Sequence, residues 1–213
     1  MFVTLVPMVQ DTLFSVGEEV ELRPIADGLV RTTLGRGAWL DFRPGWVAGA
    51  GELFGRLERS VPWRAERRPM YERIVDVPRL VCFYEDCAAV PDASVEEMRR
   101  ALSSYYERSL GEPLETVGMC LYRDGNDSVA WHGDRVGRSS HEDTVVAIVS
   151  LGATRRFLLR PRGAGRAFRI DVATGDLLVM GGSCQRTWDH AVSKSRRPVG
   201  PRISLQFRTR GVR

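Results

Sequence analysis

The chain has 213 residues, of which 43% are hydrophobic and 27% are charged. This length fits one domain that buries a substantial core. No stretch approaches the roughly 18 consecutive apolar residues of a membrane span, and the start of the chain lacks the basic region of a signal peptide. We therefore expect a single cytoplasmic domain over residues 1–213, without a membrane anchor. The cysteines have no metal-like spacing and are expected to be free thiols: Cys82, Cys87, Cys120 and Cys184.

The net charge of +4 is unevenly distributed along the chain. Residues 131–213 carry 16 Lys and Arg against 6 Asp and Glu, whereas residues 1–130 carry 15 against 21. A strongly basic half suits a polyanionic partner such as nucleic acid. A general preference for arginine is the alternative, since Lys194 is the only lysine, but this preference does not explain the uneven placement.

The first 60 residues are predicted to form an extension ahead of the main fold. Alternation at Val20–Arg23 and Ala38–Phe42 indicates short strands, and the glycines between them indicate turns. Apolar residues from Trp46 to Leu57 recur at spacings of about three and four, which favours a helix after Pro44.

Residues 63–71 are polar and rich in arginine, and Pro69 interrupts them. The pattern predicts an exposed loop in which the aromatic side chains of Trp63 and Tyr71 are anchored on the core. A strand is predicted next, from Leu80 to Tyr84.

The strongest helix signal begins at Ser94-Val95-Glu96-Glu97, which has the pattern of a capping box. Apolar residues then follow at helical spacing, and Gly111 is placed to end the helix. We expect the apolar stripe of this helix to pack on a sheet.

From residue 115 to 210 the pattern changes to short strands separated by turns. Eight strands at this spacing favour a two-sheet jelly roll, also called a double-stranded β-helix. The predicted class is therefore α+β but mostly β, with N-terminal strands and about two supporting helices. The predicted strands are Val117–Tyr122, Ser128–His132, Thr144–Leu151, Arg156–Arg160, Ala167–Ile170, Leu177–Met180, Trp188–Val192 and Ile203–Phe207.

Two histidines and one aspartate form a candidate metal site. His132 and Asp134 are two residues apart, so on a strand their side chains share one face. His190, on a distant strand, can complete the set of two histidines and one carboxylate that binds Fe(II) with positions left open. His141 lies in a polar connection, where a solvated surface histidine is the simpler interpretation.

Two arginines follow on the last predicted strand. Arg202 and Arg208 share one face with Ser204 and Gln206. Buried arginines are costly unless anions satisfy them, and the planar guanidinium group suits a carboxylate. A bound dicarboxylic acid is therefore a natural ligand for this face.

The order of these motifs resembles the AlkB family of Fe(II)/2-oxoglutarate dioxygenases, which remove alkyl groups from nucleic acid by oxidation. The resemblance covers about residues 60–210. The matching motifs are Tyr122-x-x-Gly125, His132-x-Asp134, Ser150-Leu151-Gly152 with Arg156-Phe157, Gly175-Asp176-Leu177, Trp188-x-His190-x-Val192-x-Lys194, and Arg202 with five residues to Arg208.

The resemblance implies that Fe(II) and 2-oxoglutarate, together with dioxygen, carry out the chemistry. It implies iron ligation by His132, Asp134 and His190, and 2-oxoglutarate binding by Arg202 and Arg208 with a further hydrogen bond from Tyr122. Ser204 stands where the family usually has an asparagine, but its hydroxyl can still form hydrogen bonds.

The resemblance also implies a substrate site for an alkylated base in DNA or RNA. Residues 61–79 are expected to form a lid over the nucleotide, with Trp63 and Tyr71 stacking on the extruded base. Arginines of the basic half are expected to hold phosphates, namely Arg135, Arg138, Arg162 and Arg166.

Two further positions depart from the family pattern. Cys120 replaces an asparagine near the co-substrate, and Val136 replaces an acidic residue near the base.

Taken together, the motifs and the resemblance predict a monomeric dioxygenase that dealkylates damaged bases in single-stranded or locally unpaired nucleic acid. Two alternatives stay open: a dioxygenase of the same fold with another substrate, such as a protein side chain, and a non-catalytic jelly roll that binds nucleic acid.

Overall fold

The computed structural model describes residues 19–70, 73–163 and 165–212. Its strands are β1 Glu21–Leu22, β2 Val30–Gly35, β3 Ala38–Arg43, β4 Val47–Ala48, β5 Arg64–Met70, β6 Arg73–Tyr84, β7 Thr116–Tyr122, β8 Val129–His132, β9 Val146–Gly152, β10 Arg155–Pro161, β11 Phe168–Val172, β12 Leu177–Gly182, β13 Trp188–Val192 and β14 Arg202–Arg208. Its α-helices are α1 Ala50–Ser60, α2 Ala93–Leu110 and α3 Cys184–Thr187. None of these helices is long and apolar enough to cross a membrane.

Strands β7 to β14 form two antiparallel sheets that face each other. The larger sheet has the order β2-β3-β12-β9-β14-β7-β6-β5, and the smaller has the order β11-β10-β13-β8. The predicted jelly roll is confirmed, and each of its eight strands ends within two residues of the prediction. Turns at short, regular intervals and apolar alternation are what made these strands predictable.

The central strands of the larger sheet, β12, β9, β14 and β7, are buried on both faces. Along β14, Ile203, Leu205 and Phe207 pack under the helices, in what we call the helix-side core. The alternate residues of β14 face the smaller sheet across an inter-sheet core, to which Tyr122 and Phe157 belong. One strand therefore contributes to both cores, because side chains alternate across a sheet.

The two longer helices cover the larger sheet. α1 begins only at Ala50, after Gly49 in a left-handed conformation (φ 64°). The predicted helix is therefore wrong at its start: Val47 lies in β4, which pairs with β1.

The ends of α2 differ in how well they were predicted. α2 begins after Asp92, whose carboxylate accepts a hydrogen bond from the Ser94 amide at 3.0 Å. The predicted capping box at Ser94 is therefore wrong, because an aspartate two residues earlier caps the helix. Gly111 ends α2 as predicted, in a left-handed conformation (φ 69°).

β5 and β6 form an antiparallel pair where an exposed loop was predicted, whereas the strand predicted from Leu80 to Tyr84 is confirmed as the end of β6. β5 pairs antiparallel with β6, from Arg64 opposite Val81 to Met70 opposite Arg73, and β6 pairs with β7. The hairpin therefore extends the edge of the larger sheet. Because arginines occupy many of its positions, this segment lacks the alternation of apolar and polar residues that normally indicates a strand.

Candidate metal centre and co-substrate pocket

Neighbouring strands bring the two predicted histidine ligands together. β13 pairs with β8 so that His190 lies directly opposite His132, and the centroids of the two rings are 4.2 Å apart. Nδ1 of His132 lies 2.8 Å from the carbonyl oxygen of Ala130. A donated hydrogen bond there leaves Nε2 as the free lone pair, which is the state that a metal ligand requires.

Asp134 follows β8 and is held in place by its backbone. Its amide donates to Oε1 of Gln185 at 2.9 Å. The preceding residue, Gly133, lies so close to α3 that an added Cβ would be 2.5 Å from the carbonyl oxygen of Gln185. A glycine between His132 and Asp134 therefore allows the close approach that aims the carboxylate inward.

The three side chains converge on one point. Oδ1 of Asp134 is 3.6 Å from Nε2 of His132 and 4.0 Å from Nε2 of His190, and the three ligand atoms all lie within 4.8 Å of one another. Donor atoms about 2.1 Å from a shared ion are at most about 4.2 Å apart, so small shifts of the rings suffice. Two imidazoles and one carboxylate are the donor set of mononuclear Fe(II) oxygenases. The residues fit Fe(II).

Burial and charge hold Asp134 and His190 in the protonation states that metal binding requires. Burial opposes ionisation of Asp134, but the charge of the adjacent Arg208 guanidinium outweighs burial and holds the pKa of this carboxyl below its usual value. Burial, reinforced by the charges of His132 and Arg208, lowers the pKa of His190 to about 3. An ionised carboxylate and a neutral imidazole are therefore available at neutral pH.

A cationic pocket lies beside the metal centre, on the inner face of β14. Arg202 is 2% exposed, and its Nε donates to Oγ of Ser150 at 2.8 Å. Its Nη1 is buried without a hydrogen-bond partner among the described residues. The guanidinium lies 5.2 Å from the ring centroid of Tyr122, and burial raises the pKa of that phenol to about 12. A buried, unsatisfied guanidinium beside a neutral phenol fits one carboxylate of a dicarboxylic acid.

The remaining predicted co-substrate residues line the same pocket. Arg208 donates from Nε and Nη2 to Oδ2 of Asp134, at 2.9 and 2.7 Å. Ser204 lies between the two arginines on β14 and is 2% exposed. It faces Cys120 across the pair of strands β14 and β7.

Four further residues support the site, and of these the sequence had placed only Gln206, on the arginine-bearing face of the last strand. Gln185 orients the Asp134 backbone, and Gln206 contacts Arg208 on β14. Arg79 donates to Sγ of Cys120 at 3.3 Å. Arg155 donates to the carbonyl oxygens of Asp124, Asp127 and Ser193, which lie on the connections beside β8 and β13. Alternation along the last strand placed Gln206 on this face, but no local pattern indicates the other three.

The predicted substrate residues are not all near the centre. Trp63 packs against the helix-side core and its Nε1 donates to the carbonyl oxygen of Glu58 at 3.1 Å. It therefore lies on the opposite face of the larger sheet from the ligands, which corrects its predicted role in stacking on the base. The other aromatic residue of the predicted lid, Tyr71, lies outside the described residues.

The predicted phosphate-binding arginines have different surroundings. Arg138 forms ion pairs with Glu112 and Glu142, each at 2.8 Å, so its charge is already balanced. Arg135 lies 3.4 Å from Asp189.

Two of the arginines lie beyond β10, in the connection to β11. Arg162 and Arg166 are exposed there, and no carboxylate is recorded within 4.0 Å of either among the described residues. These two arginines are the better phosphate candidates.

His141 stands apart from the metal centre. Its side chain is 67% exposed, and its ring nitrogens lie near Ser140 and Glu142. The cluster of ligand atoms within the described residues consists of His132, Asp134 and His190.

A jelly roll with two histidines, one carboxylate and a buried arginine at one end defines a mononuclear iron oxygenase with a dicarboxylate pocket. A family model described as the 2OG-Fe(II) oxygenase superfamily matches residues 48–208. The chain therefore belongs to the 2OG-Fe(II) oxygenase superfamily, and its curated relatives support the AlkB family within it.

Those relatives include AlkB homologues from animals and plants. The bovine alpha-ketoglutarate-dependent dioxygenase alkB homolog 3 is 30% identical over 187 residues, covering 78% of this chain and 64% of the relative. The DNA oxidative demethylase ALKBH2 of Arabidopsis thaliana is 24% identical over 207 residues, covering 80% of this chain and 63% of the relative. The chain thus spans just under two thirds of the length of these relatives.

Solved structures share the fold at low sequence identity. OsALKBH1 matches with a TM-score of 0.55 and 17% identity, covering 84% of this chain and all of that one. A Pseudomonas putida prolyl-4-hydroxylase matches with a TM-score of 0.57 and 16% identity, covering 81% of this chain and 93% of that one. These likenesses support the jelly-roll fold and do not distinguish between substrates.

Proposed function

We propose that the protein is an Fe(II)/2-oxoglutarate-dependent dioxygenase that removes alkyl groups from bases of DNA or RNA by oxidation. One observation carries the proposal: the two Nε2 atoms and Oδ1 of Asp134 converge beside a buried arginine whose Nη1 has no partner in the described residues. When bound, Fe(II) would supply the chemistry by which dioxygen converts 2-oxoglutarate to succinate and carbon dioxide and hydroxylates an alkyl carbon, which then leaves the base as an aldehyde.

The residues of the chain would bind and orient the reactants. His132, Asp134 and His190 would hold the iron on one side and leave its other positions open. Arg202 would bind one carboxylate of 2-oxoglutarate through its unsatisfied Nη1, with the Tyr122 hydroxyl as a further donor. Arg208 would remain on Oδ2 of Asp134 and fix which carboxylate oxygen faces the iron.

Support for a nucleic-acid substrate comes from charge and from the relatives. The basic half of the chain contains both metal-binding strands and the exposed Arg162 and Arg166. The Arabidopsis relative is named a DNA oxidative demethylase. A base extruded from its stack can reach the site, and extrusion costs least where pairing is already broken. We therefore infer a single-stranded or locally unpaired substrate, bound by a monomer.

The first test measures the cofactors without assuming a substrate. Fe(II) and then 2-oxoglutarate are added without oxygen, and the charge-transfer absorbance of the complex is followed. The wild type should develop the band, whereas His190→Ala should not. No band and no measurable 2-oxoglutarate binding in the wild type would contradict the proposed chemistry.

The second test identifies the substrate. Oligonucleotides that carry N1-methyladenine or N3-methylcytosine are incubated with the enzyme, and formaldehyde and succinate are measured together. We expect equal amounts of both products, above the rate with undamaged oligonucleotide. Succinate at the background rate with every alkylated oligonucleotide, while the cofactors bind, would favour the alternative of a protein side-chain hydroxylase.

Salt dependence tests the phosphate contacts. Loss of one phosphate contact should reduce the slope of log affinity against log salt by about one. We expect this for Arg162→Ala, whereas Arg138→Ala serves as the matched control because Glu112 and Glu142 already neutralise that arginine. Equal slopes in the wild type and Arg162→Ala would remove Arg162 from the interface.

A further inference from the structure

Gln206 occupies the middle of the arginine-bearing face of β14. It lies between Ser204 and Arg208 along the strand, opposite Gly118 of β7. Its side chain is partly buried, in the pocket that holds Arg202 at one end and the metal ligands at the other. No role in iron binding follows from its position, because Arg208 separates it from Asp134.

Gly118 creates the space that the Gln206 carboxamide fills. A Cβ at position 118 would lie 2.9 Å from Nη1 of Arg208 and 3.4 Å from Oε1 of Gln206. Any larger residue at position 118 would therefore displace the Arg208 guanidinium or the carboxamide. The long glutamine and the missing side chain opposite are complementary in shape.

Hydrogen bonds fix which way the carboxamide points. Nη2 of Arg208 donates to Oε1 of Gln206 at 3.0 Å. Because a guanidinium only donates, the oxygen of the amide must face Arg208 and the NH2 group must face away from it. The Nε2 group is thereby directed toward Ser204 and Cys120.

Both hydrogen bonds from Nε2 are long, and one of them is made to a poor acceptor. The Nε2 atom lies 3.3 Å from Oγ of Ser204 and 3.5 Å from Sγ of Cys120, and a thiol is a poor acceptor. Cys120 already receives a second donor, Nε of Arg79 at 3.3 Å. The amide protons of Gln206 are therefore held in position without a strong partner, and a carboxylate would be a better one.

We propose that Gln206 is a co-substrate-binding residue that donates an amide hydrogen bond to 2-oxoglutarate in the pocket between Arg202 and Arg208. This inference rests on the proposed function. Among these neighbours Gln206 is the side chain that can donate an amide hydrogen bond, because Cys120 offers only a thiol and Ser204 only a hydroxyl. Gly118 and the Oε1 contact with Arg208 position the donor.

The test compares 2-oxoglutarate affinity in variants that keep the shape of the side chain. Gln206→Met retains the length of the side chain and removes the amide. Loss of one hydrogen bond to a charged group should weaken 2-oxoglutarate binding about tenfold. The dissociation constant is measured by anaerobic titration of the iron-loaded protein, using the charge-transfer band and calorimetry.

A second variant tests whether the amide itself matters. Cys120→Asn places a carboxamide on the neighbouring strand, at the point that Nε2 of Gln206 now contacts. In the Gln206→Met background it should restore most of the lost affinity, which a purely structural role of Gln206 would not predict. Iron affinity and the thermal midpoint should be the same in the wild type and all variants.

Each outcome separates this inference from the proposed function. If the wild type binds iron but not 2-oxoglutarate, the proposed function fails and the inference with it. If the wild type and Gln206→Met bind 2-oxoglutarate equally, only the inference is overturned. A parallel loss of iron affinity in Gln206→Met, without rescue by Cys120→Asn, would also overturn it, since Gln206 would then act only by supporting Arg208.

Discussion

Arg208 and Asp134 meet at a single carboxylate oxygen: both Nε and Nη2 of the arginine donate to Oδ2, at 2.9 and 2.7 Å. The other oxygen, Oδ1, faces the two histidines. One carboxylate oxygen is therefore directed toward the metal position, and the other is bound by a buried cation. Arg202, at the other end of β14, has no such contact with a metal ligand.

This difference predicts that Arg208→Lys and Arg202→Lys behave differently. Lysine keeps the charge but loses the second donor, so Arg208→Lys should release the Asp134 carboxylate and lower iron affinity about 10- to 100-fold. Arg202→Lys should weaken 2-oxoglutarate binding and leave iron affinity unchanged. Titrations with Fe(II) alone and then with 2-oxoglutarate separate the two effects, and identical profiles for both variants would contradict the assignment.

Removal of each metal ligand should abolish iron binding. We expect no stoichiometric iron in His132→Ala, Asp134→Ala or His190→Ala, because two remaining ligands do not fix the ion. His141→Ala is the matched control, because that imidazole is exposed and outside the cluster. Metal analysis after anaerobic loading checks the prediction, and a His141→Ala protein without iron would require another third ligand.

Gly133→Ala should disable the metal centre without adding any polar group. The new methyl group would meet backbone oxygens of Gln185 and Trp188, at 2.5 and 3.2 Å, and shift Asp134. We expect iron affinity to fall at least tenfold, within the range seen when ligand support is lost. Gly51→Ala, in α1, is the control: nothing lies within 4 Å of its Cβ, so it should bind iron normally.

Trp63→Phe should reduce stability but not chemistry. The substitution removes the hydrogen bond to Glu58 and some contacts with the helix-side core, so urea unfolding should show a loss of about 1–3 kcal/mol. Turnover per folded molecule should equal that of the wild type. A lower turnover with unchanged stability would return Trp63 to the substrate site.

The sequence predicted the parts of the site that depend on strand periodicity. A period of two correctly aligned Arg202 with Arg208 on one face of β14, since alternation is a local property of any strand. His132 and Asp134 do lie together, but β8 ends at His132, so the backbone at Gly133 and not strand alternation brings Asp134 to the site. The periodicity did not reveal that His190 lies opposite His132, because register between distant strands depends on the whole sheet. The order of motifs supplied that step.

Other features depended on tertiary contacts that local patterns do not encode. Trp63 was assigned to a lid because this region resembles the nucleotide lid of the AlkB family, but its side chain packs against the helix-side core on the other face of the sheet. Gln185 is polar and buried, and it accepts a hydrogen bond from the amide of Asp134, which lies 51 residues away in the sequence. Neither its type nor its spacing indicates that contact.

The alternation of side chains along β14 places residues that pack against the helices on one face and residues that line the proposed pocket on the other. Ile203, Leu205 and Phe207 pack in the helix-side core, while Ser204 and Gln206 lie on the other face, toward the proposed co-substrate pocket. A substitution on the pocket face leaves the helix-side packing intact, and the reverse also holds. Ligand preference can thus diverge among proteins of this fold through single replacements at alternate positions of one strand, with little change in thermal stability.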